Sequence, residues 1–112
     1  RYWLTYLGGN KFGYESLPLS IGLASTDDPS APRVWQKMSN PILTVNDPDV
    51  RAFETGTLYK SFVFRDQAQS LGAPFVMYYN AKSANGNETI GMAISQDIQI
   101  LLEDWRKLWV LN

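Results

Sequence analysis

The sequence has 112 residues and a net charge of −1, with 45% hydrophobic and 19% charged residues, which indicates one small folded domain. Cysteine and histidine are absent, so disulfides, thiolate metal sites and nucleophiles activated by histidine are excluded. Any acid–base chemistry would therefore depend on carboxylates, lysine or tyrosine.

Two classes of partner are not expected. Lysine and arginine are not clustered along the chain, and phosphate binding needs clustered cations, so we expect no nucleic acid partner. No run of about 18 apolar residues occurs, so we expect no membrane partner. No cofactor and no metal site is predicted. The localisation stays open between cytoplasmic, periplasmic and secreted.

The first part of the chain predicts three short strands, at residues 2–7, 19–25 and 33–38. Tyr, Trp and Thr favour strands, and the Gly-Gly-Asn that follows residue 7 marks a turn. Gly22 and Ala24 leave room for a close neighbour inside the second strand. Residues 42–45 could form a brief further strand, and residues 46–54 read as an acidic loop.

The second part predicts four strands, at residues 57–64, 75–80, 89–95 and 105–110. Period-two alternation in the first of them assigns one face to Leu58, Lys60, Phe62 and Phe64 and the other face to Tyr59, Ser61 and Val63. The last strand has an alternative, because the apolar residues of the tail also fall at helical spacing. We favour a strand preceded by a helical turn.

The two parts resemble each other. Tyr6 corresponds to Tyr79, Gly22 to Gly91 and Trp35 to Trp105, each pair about 70 residues apart. This period predicts an all-β chain of antiparallel β-propeller blades. Residues 1–45 would be the last three strands of one blade, and residues 46–112 a second, complete blade of the same domain. The alternative is a β-sandwich in which the similarity has no structural meaning.

Two blades alone would leave one packing face bare. Trp35 and Trp105 are expected where one blade packs on the next, since a tryptophan buries roughly 150–250 Å². The chain also begins at Arg1, directly before an aromatic strand, which predicts a piece of a longer protein. We therefore expect the chain to pack against remaining blades or against other copies of itself.

The blade pattern resembles a known family. It consists of an aromatic strand ending in Tyr78-Tyr79-Asn80, then Ile-Gly-Met-Ala-Ile-Ser-Gln-Asp at residues 90–97, then a tryptophan. The earlier copy is Ile-Gly-Leu-Ala-Ser-Thr-Asp-Asp at residues 21–28. Both are similar to the blade signature of five-bladed β-propeller glycosidases, which include arabinanases, xylosidases, invertase-like enzymes and mannoside phosphorylases. The resemblance covers nearly the whole chain but only about two of five blades.

The resemblance implies where a sugar would bind, at the central axis beside the innermost strand of each blade. It implies a catalytic acid at Glu54 and substrate contacts at Tyr59, Lys60 and Asp66. Lys60 departs from the family pattern, which has an acid nearby, and could bind a hydroxyl, a carboxylate or a phosphate. Each residue also has a plainer interpretation. Glu54 could be a loop-capping acid, Asp66 a turn residue, and Lys60 an ion-pair partner of either one.

Three functions follow from these observations. The resemblance implies a fragment of an enzyme that hydrolyses or phosphorolyses glycosidic bonds with paired carboxylates. The alternatives are a non-catalytic carbohydrate-binding propeller and a self-assembling propeller fragment. We expect the 112-residue chain by itself to be inactive, because most catalytic carboxylates of such an enzyme would lie on other blades. Asp28, Asp97, Tyr78 and Tyr79 are expected to be structural.

Overall fold

The computed structural model describes residues 1–13, 17–31 and 33–98, together with the backbone of residues 106–107. Within these residues, seven strands follow in chain order: β1 Tyr2–Gly9, β2 Leu19–Thr26, β3 Gln36–Lys37, β4 Thr57–Arg65, β5 Phe75–Lys82, β6 Glu88–Ser95 and β7 Arg106–Lys107. A 3₁₀ turn at Ala52–Glu54 precedes β4. In these ranges no helix is long and apolar enough to cross a membrane.

The strands form two antiparallel sheets. The first is three-stranded with the order β1-β2-β3, and the second is four-stranded with the order β4-β5-β6-β7. Every pairing is between neighbours in sequence, as expected for blades built from successive hairpins. The prediction of an all-β chain with antiparallel, blade-like sheets is confirmed. The boundary at residue 45 stays a prediction.

The predicted strand at residues 33–38 is wrong in length. β3 contains only Gln36–Lys37, because the backbone N–H of Val34 donates to the carbonyl of Ala31 at 3.3 Å and is not used in the ladder. The tail strand pairs with β6 through Arg106–Lys107. Trp105 and the other tail residues of the prediction lie outside the described residues.

β2 is buried along nearly its whole length. It pairs with β1 on one side. On its other side, the N–H of Ile21 donates to the carbonyl of Leu43 at 2.9 Å, and the N–H of Met38 donates to the carbonyl of Leu23 at 2.9 Å. The brief strand expected at residues 42–45 is therefore a single bridge between Ile21 and Leu43.

The main hydrophobic core lies between the two sheets. It is formed by Ile21, Leu23, Ile42, Leu43, Leu58, Met77, Tyr79, Ala81 and Ala93. Trp3 packs against this core, whereas Trp35 lies half-buried ahead of β3. The expectation that Trp35 packs between blades stays a prediction.

β4 is the strand that connects the two sheets. The hydroxyl of Ser61 donates to the hydroxyl oxygen of Thr5 at 2.7 Å. The N–H of Leu19 donates to the hydroxyl oxygen of Thr57 at 2.8 Å. Buried polar groups need such partners, so these bonds fix how β4 lies against the first sheet.

A β-bulge interrupts β4. Tyr59 is opposite Asn80 and Ser61 is opposite Tyr79, which leaves Lys60 without a partner in the ladder. One extra residue reverses the facing of every later side chain. Beyond the bulge, Val63 packs against the core and Phe62 is 65% exposed. The predicted faces of β4 are therefore wrong after Tyr59, because strict alternation cannot account for an inserted residue.

Three aromatic rings line the surface that this reversal creates. Phe64 stacks on Tyr78 with ring centroids 6.0 Å apart, and Phe62 lies 6.1 Å from Phe64. We call Phe62, Phe64 and Tyr78 the aromatic face. Its neighbour Ile90 is 47% exposed. An apolar surface of this kind commonly marks a place where another chain or domain packs.

The turns after β2 and β6 carry the same contact. The N–H of Asp28 donates to the hydroxyl of Thr26 at 3.1 Å, and the N–H of Asp97 donates to the hydroxyl of Ser95 at 3.3 Å. The carboxylate of Asp28 also accepts from the N–H of Ser30 at 3.0 Å. The predicted turn-capping role of Asp28 is thus confirmed.

Candidate functional site

Glu54 lies inside the protein, at the end of the 3₁₀ turn before β4, with no exposed surface. One carboxylate oxygen accepts the hydroxyl of Tyr79 at 2.8 Å. The other accepts the backbone N–H of Arg51 at 3.0 Å and so closes the turn. The structure therefore places the predicted catalytic acid in a covered, hydrogen-bonded position that anchors the entrance of β4 to β5.

Tyr79 is the partner that covers Glu54. Burial raises the pKa of its hydroxyl well above the usual range, and the charge of Glu54 and the hydrogen bond to it act in the same direction. The ring lies on Gly91, directly across the β5–β6 ladder. A Cβ at Gly91 would lie 2.4 Å from Cζ of Tyr79, so only glycine at this position leaves room for the ring.

The raised pKa of Tyr79 predicts a loss of stability at alkaline pH. The folded protein holds this proton more tightly than the unfolded chain, so the contribution is complete below a pH of about 10 and is lost above it. Between pH values of about 10 and about 11, we expect this group to lower the free energy of unfolding by about 1 kcal/mol. Urea denaturation at several pH values measures it. Tyr79→Phe is the control, and an equal alkaline loss in that variant would contradict the assignment.

Tyr59, the next predicted site residue, is buried at 5% exposure. Its hydroxyl donates to the carboxylate of Glu88. The ammonium groups of Lys60 and Lys82 lie 5.5 and 5.7 Å from the centre of its ring, within the range of cation–π attraction. Lys82 also lies 3.8 Å from Glu88. These four side chains form what we call the lysine cluster: Tyr59, Lys60, Lys82 and Glu88.

Glu88 is the anion of the lysine cluster. The hydrogen bond from Tyr59 lowers the pKa of its carboxyl group below the usual range, and the charges of Lys82 and Lys60 act in the same direction. Glu88 is therefore ionised at neutral pH, and the cluster holds two cations and one anion. Neither Lys82 nor Glu88 was predicted from the sequence, because only the strand register brings them to Tyr59.

Lys60 adopts a left-handed backbone conformation with φ of 49°. This region is unfavourable for residues with a Cβ, glycine and asparagine being the common exceptions. The residue is exposed, and within the described part of the chain it forms no ion pair. The plainer interpretation of Lys60 as an ion-pair partner of Glu54 or Asp66 is therefore not met there. Its ammonium group lies over the ring of Tyr59, and its charge acts on Glu88.

The left-handed conformation predicts different stabilities for two substitutions at residue 60. Both Lys60→Asn and Lys60→Val lose the contact with Tyr59, but asparagine tolerates positive φ whereas a β-branched residue does not. We expect the valine variant to be less stable than the asparagine variant by about 1–2 kcal/mol. Urea denaturation of both variants measures the difference. Equal stabilities would show that residue 60 does not hold this conformation in solution.

Asp66 lies beyond the other end of β4. Its carboxylate accepts the N–H groups of Ala68 at 3.1 Å and Ser70 at 2.9 Å. These bonds are those of a turn-capping aspartate. Asp66 follows Lys60 by six residues of extended strand, a distance along the strand of roughly 20 Å. The structure therefore does not bring the two residues together. A substrate contact at Asp66 stays a prediction.

A cleft of about 380 Å³ opens beside Tyr6 and Gly22 of the first sheet. A Cβ at Gly22 would lie 2.4 Å from Cζ of Tyr6, so Tyr6 covers Gly22 as Tyr79 covers Gly91. The further lining of the cleft mixes uncharged polar residues, among them Asn10, Ser20 and Asn46, with the apolar Met38 and Val45. In the described ranges no group of three or more carboxylates is placed to hold a metal ion.

The chain is similar to two solved structures. One is the RGII complex of BT0996, with 40% sequence identity and a TM-score of 0.83 over 95% of this chain. The other is a glycoside hydrolase, with 39% identity and a TM-score of 0.82 over 95% of this chain. The present sequence spans 31% of the length of each of these two proteins. No protein-family model and no curated protein matches it.

At this identity and coverage, the similarity supports a relationship of this chain to part of a glycoside hydrolase. The fold is accordingly one found in carbohydrate-active proteins. The grouping with five-bladed propellers stays a prediction, since the two sheets described here are compatible with blades without fixing their number.

Proposed function

We propose that this chain is part of a carbohydrate-active enzyme that acts on glycosidic bonds, with a five-bladed propeller as its complete catalytic domain. The observation that carries the proposal is the 39% identity to a glycoside hydrolase structure over 95% of this chain. One of the two similar structures is a complex with RGII, an oligosaccharide, which supports carbohydrate as the partner.

In this proposal β4 is the innermost strand, and the segment from Glu54 to Lys60 lies towards the sugar. The catalytic role of Glu54 stays a prediction. Its buried carboxylate, bonded to Tyr79 and Arg51, favours a positioning role in which it fixes the start of β4. The exposed aromatic face would then pack against other blades, which are the expected protein partner.

The experiment is a hydrolysis and phosphorolysis assay of the complete protein that contains this chain, on arabino-, xylo-, fructo- and mannosides. We expect cleavage of at least one substrate, and no cleavage by the 112-residue chain alone. If Glu54 is catalytic, Glu54→Gln abolishes turnover while the fold is retained. If it is a positioning residue, the same variant keeps measurable turnover and loses stability.

The second candidate is a carbohydrate-binding propeller without catalysis. It is favoured by one observation, the burial of Glu54, the carboxylate that the sequence placed nearest to the sugar. Glycoside hydrolysis needs two carboxylates that reach the substrate. Glycan binding by the complete protein without turnover on any substrate of the panel would establish this candidate.

A further inference from the structure

The lysine cluster holds two cations close together on a fixed support. The ring of Tyr59 is buried, so it cannot move with the lysines, and both ammonium groups lie within 6 Å of its centre. Two like charges held near one ring repel each other, and a nearby anion offsets that repulsion. Glu88 supplies one negative charge, at 3.8 Å from Lys82.

The charges of the lysine cluster do not cancel. Glu88 is engaged with the hydroxyl of Tyr59 and with Lys82. Lys60 is exposed and, in the part of the chain that the structure describes, forms no ion pair, although its charge acts on Glu88 from a greater distance. The cluster therefore keeps one net positive charge on its exposed side, carried by Lys60.

The backbone at Lys60 is strained, and this strained conformation positions the charge. Consecutive residues of a regular strand point to opposite faces, yet Lys60 reaches the ring of its own neighbour Tyr59 because the bulge turns it. A left-handed lysine costs roughly 1–2 kcal/mol. Strain of this kind is found preferentially at ligand sites.

We propose that Lys60 and Lys82 bind the carboxylate of an acidic sugar, such as a uronic acid residue of an oligosaccharide. The inference rests on the proposed function and names the class of sugar at that site. Lys60 binds the carboxylate, Lys82 adds a second ammonium group, and Tyr59 acts through them as the support. A single net positive charge matches a monoanionic carboxylate better than a phosphate, which carries close to two negative charges.

Isothermal titration calorimetry tests this proposal with two matched probes, trigalacturonate and the same trisaccharide after reduction of its carboxyl groups. We expect the complete protein to bind the acidic form about tenfold more tightly, as a charge-assisted contact provides. The preference should disappear in Lys60→Met, persist in Lys60→Arg and shrink in Lys82→Met. Raising the salt from about 0.01 M to about 1 M should also reduce it, because salt screens exposed charges. Lys37→Met, on β3, is the matched control and should keep the full preference.

The outcomes separate the two proposals. Equal binding of both trisaccharides would overturn the carboxylate site and leave carbohydrate binding in place. Binding of neither would overturn carbohydrate binding at this site as well. Tighter binding of inorganic phosphate than of trigalacturonate, lost in Lys60→Met, would overturn the choice of carboxylate. Circular dichroism shows whether each variant is folded. The salt series uses the unmodified protein, so it tests the charge contact even if a variant misfolds.

Discussion

Gly91→Ala is expected to lower the free energy of unfolding by about 2–3 kcal/mol. The added Cβ would lie 2.4 Å from Cζ and 2.6 Å from the hydroxyl oxygen of Tyr79. The ring cannot move aside, because Tyr79 is 1% exposed and its hydroxyl is bonded to Glu54. Overpacking a well-filled core costs roughly 1–3 kcal/mol, and a displaced ring would also lose that hydrogen bond. Urea denaturation followed by tryptophan fluorescence measures the change.

Gly22→Ala is the matched control. Its Cβ would meet Tyr6 at the same 2.4 Å, but Tyr6 is half-buried and borders the open cleft. The end of its ring can swing into that space, so we expect a loss of less than about 1 kcal/mol. Equal losses at the two glycines would contradict the view that burial and the bond to Glu54 decide the cost.

Glu54→Ala is expected to cost about 2–4 kcal/mol. The substitution removes the acceptor of the Tyr79 hydroxyl and of the Arg51 N–H, and a buried donor left without an acceptor costs roughly 1–3 kcal/mol. It also leaves a cavity at a fully buried position. Thermal and urea denaturation measure the loss.

A double-mutant cycle with Tyr79→Phe isolates the hydrogen bond between the two side chains. If the bond contributes as the geometry indicates, the double variant is more stable than the sum of the two single losses by about 1 kcal/mol or more. Strict additivity would show that Glu54 acts only through the 3₁₀ turn. Glu54→Gln keeps one acceptor oxygen for the two donors and still fills the site, so it should lose less than Glu54→Ala.

The sequence predicts the strands of this fold well where alternation and turn residues agree. The predicted strands at residues 75–80 and 89–95 fall within β5 and β6, because each has aromatic or β-branched residues bounded by glycine- or asparagine-rich turns. Residues 33–38 fail because a turn hydrogen bond at Val34 competes with the ladder. Residue composition alone does not show which of the two bonds forms.

The candidate site is harder to predict, because it depends on register. Lys60 stands out in the sequence as a charge within an apolar strand, and it does lie on the ring of Tyr59. Lys82 and Glu88 gave no such signal, since each is an ordinary polar residue at the end of a strand. They reach Tyr59 only because β5 and β6 pair in the register that the structure shows. Glu54 was correctly placed in sequence before the strand, but its burial follows from packing against Tyr79.

The bulge at Lys60 has a consequence for the comparison of this chain with its relatives. Any relative that lacks the extra residue would, in an ungapped alignment, pair the interior Val63 with an outward-facing residue and the outward Phe62 with an interior one. The positions of β4 that tolerate polar substitutions would then be wrongly assigned after residue 60 and correctly assigned before it. A one-residue gap at Lys60 restores the correspondence, so the presence or absence of that residue distinguishes relatives that share the lysine cluster from those that share only the sheet.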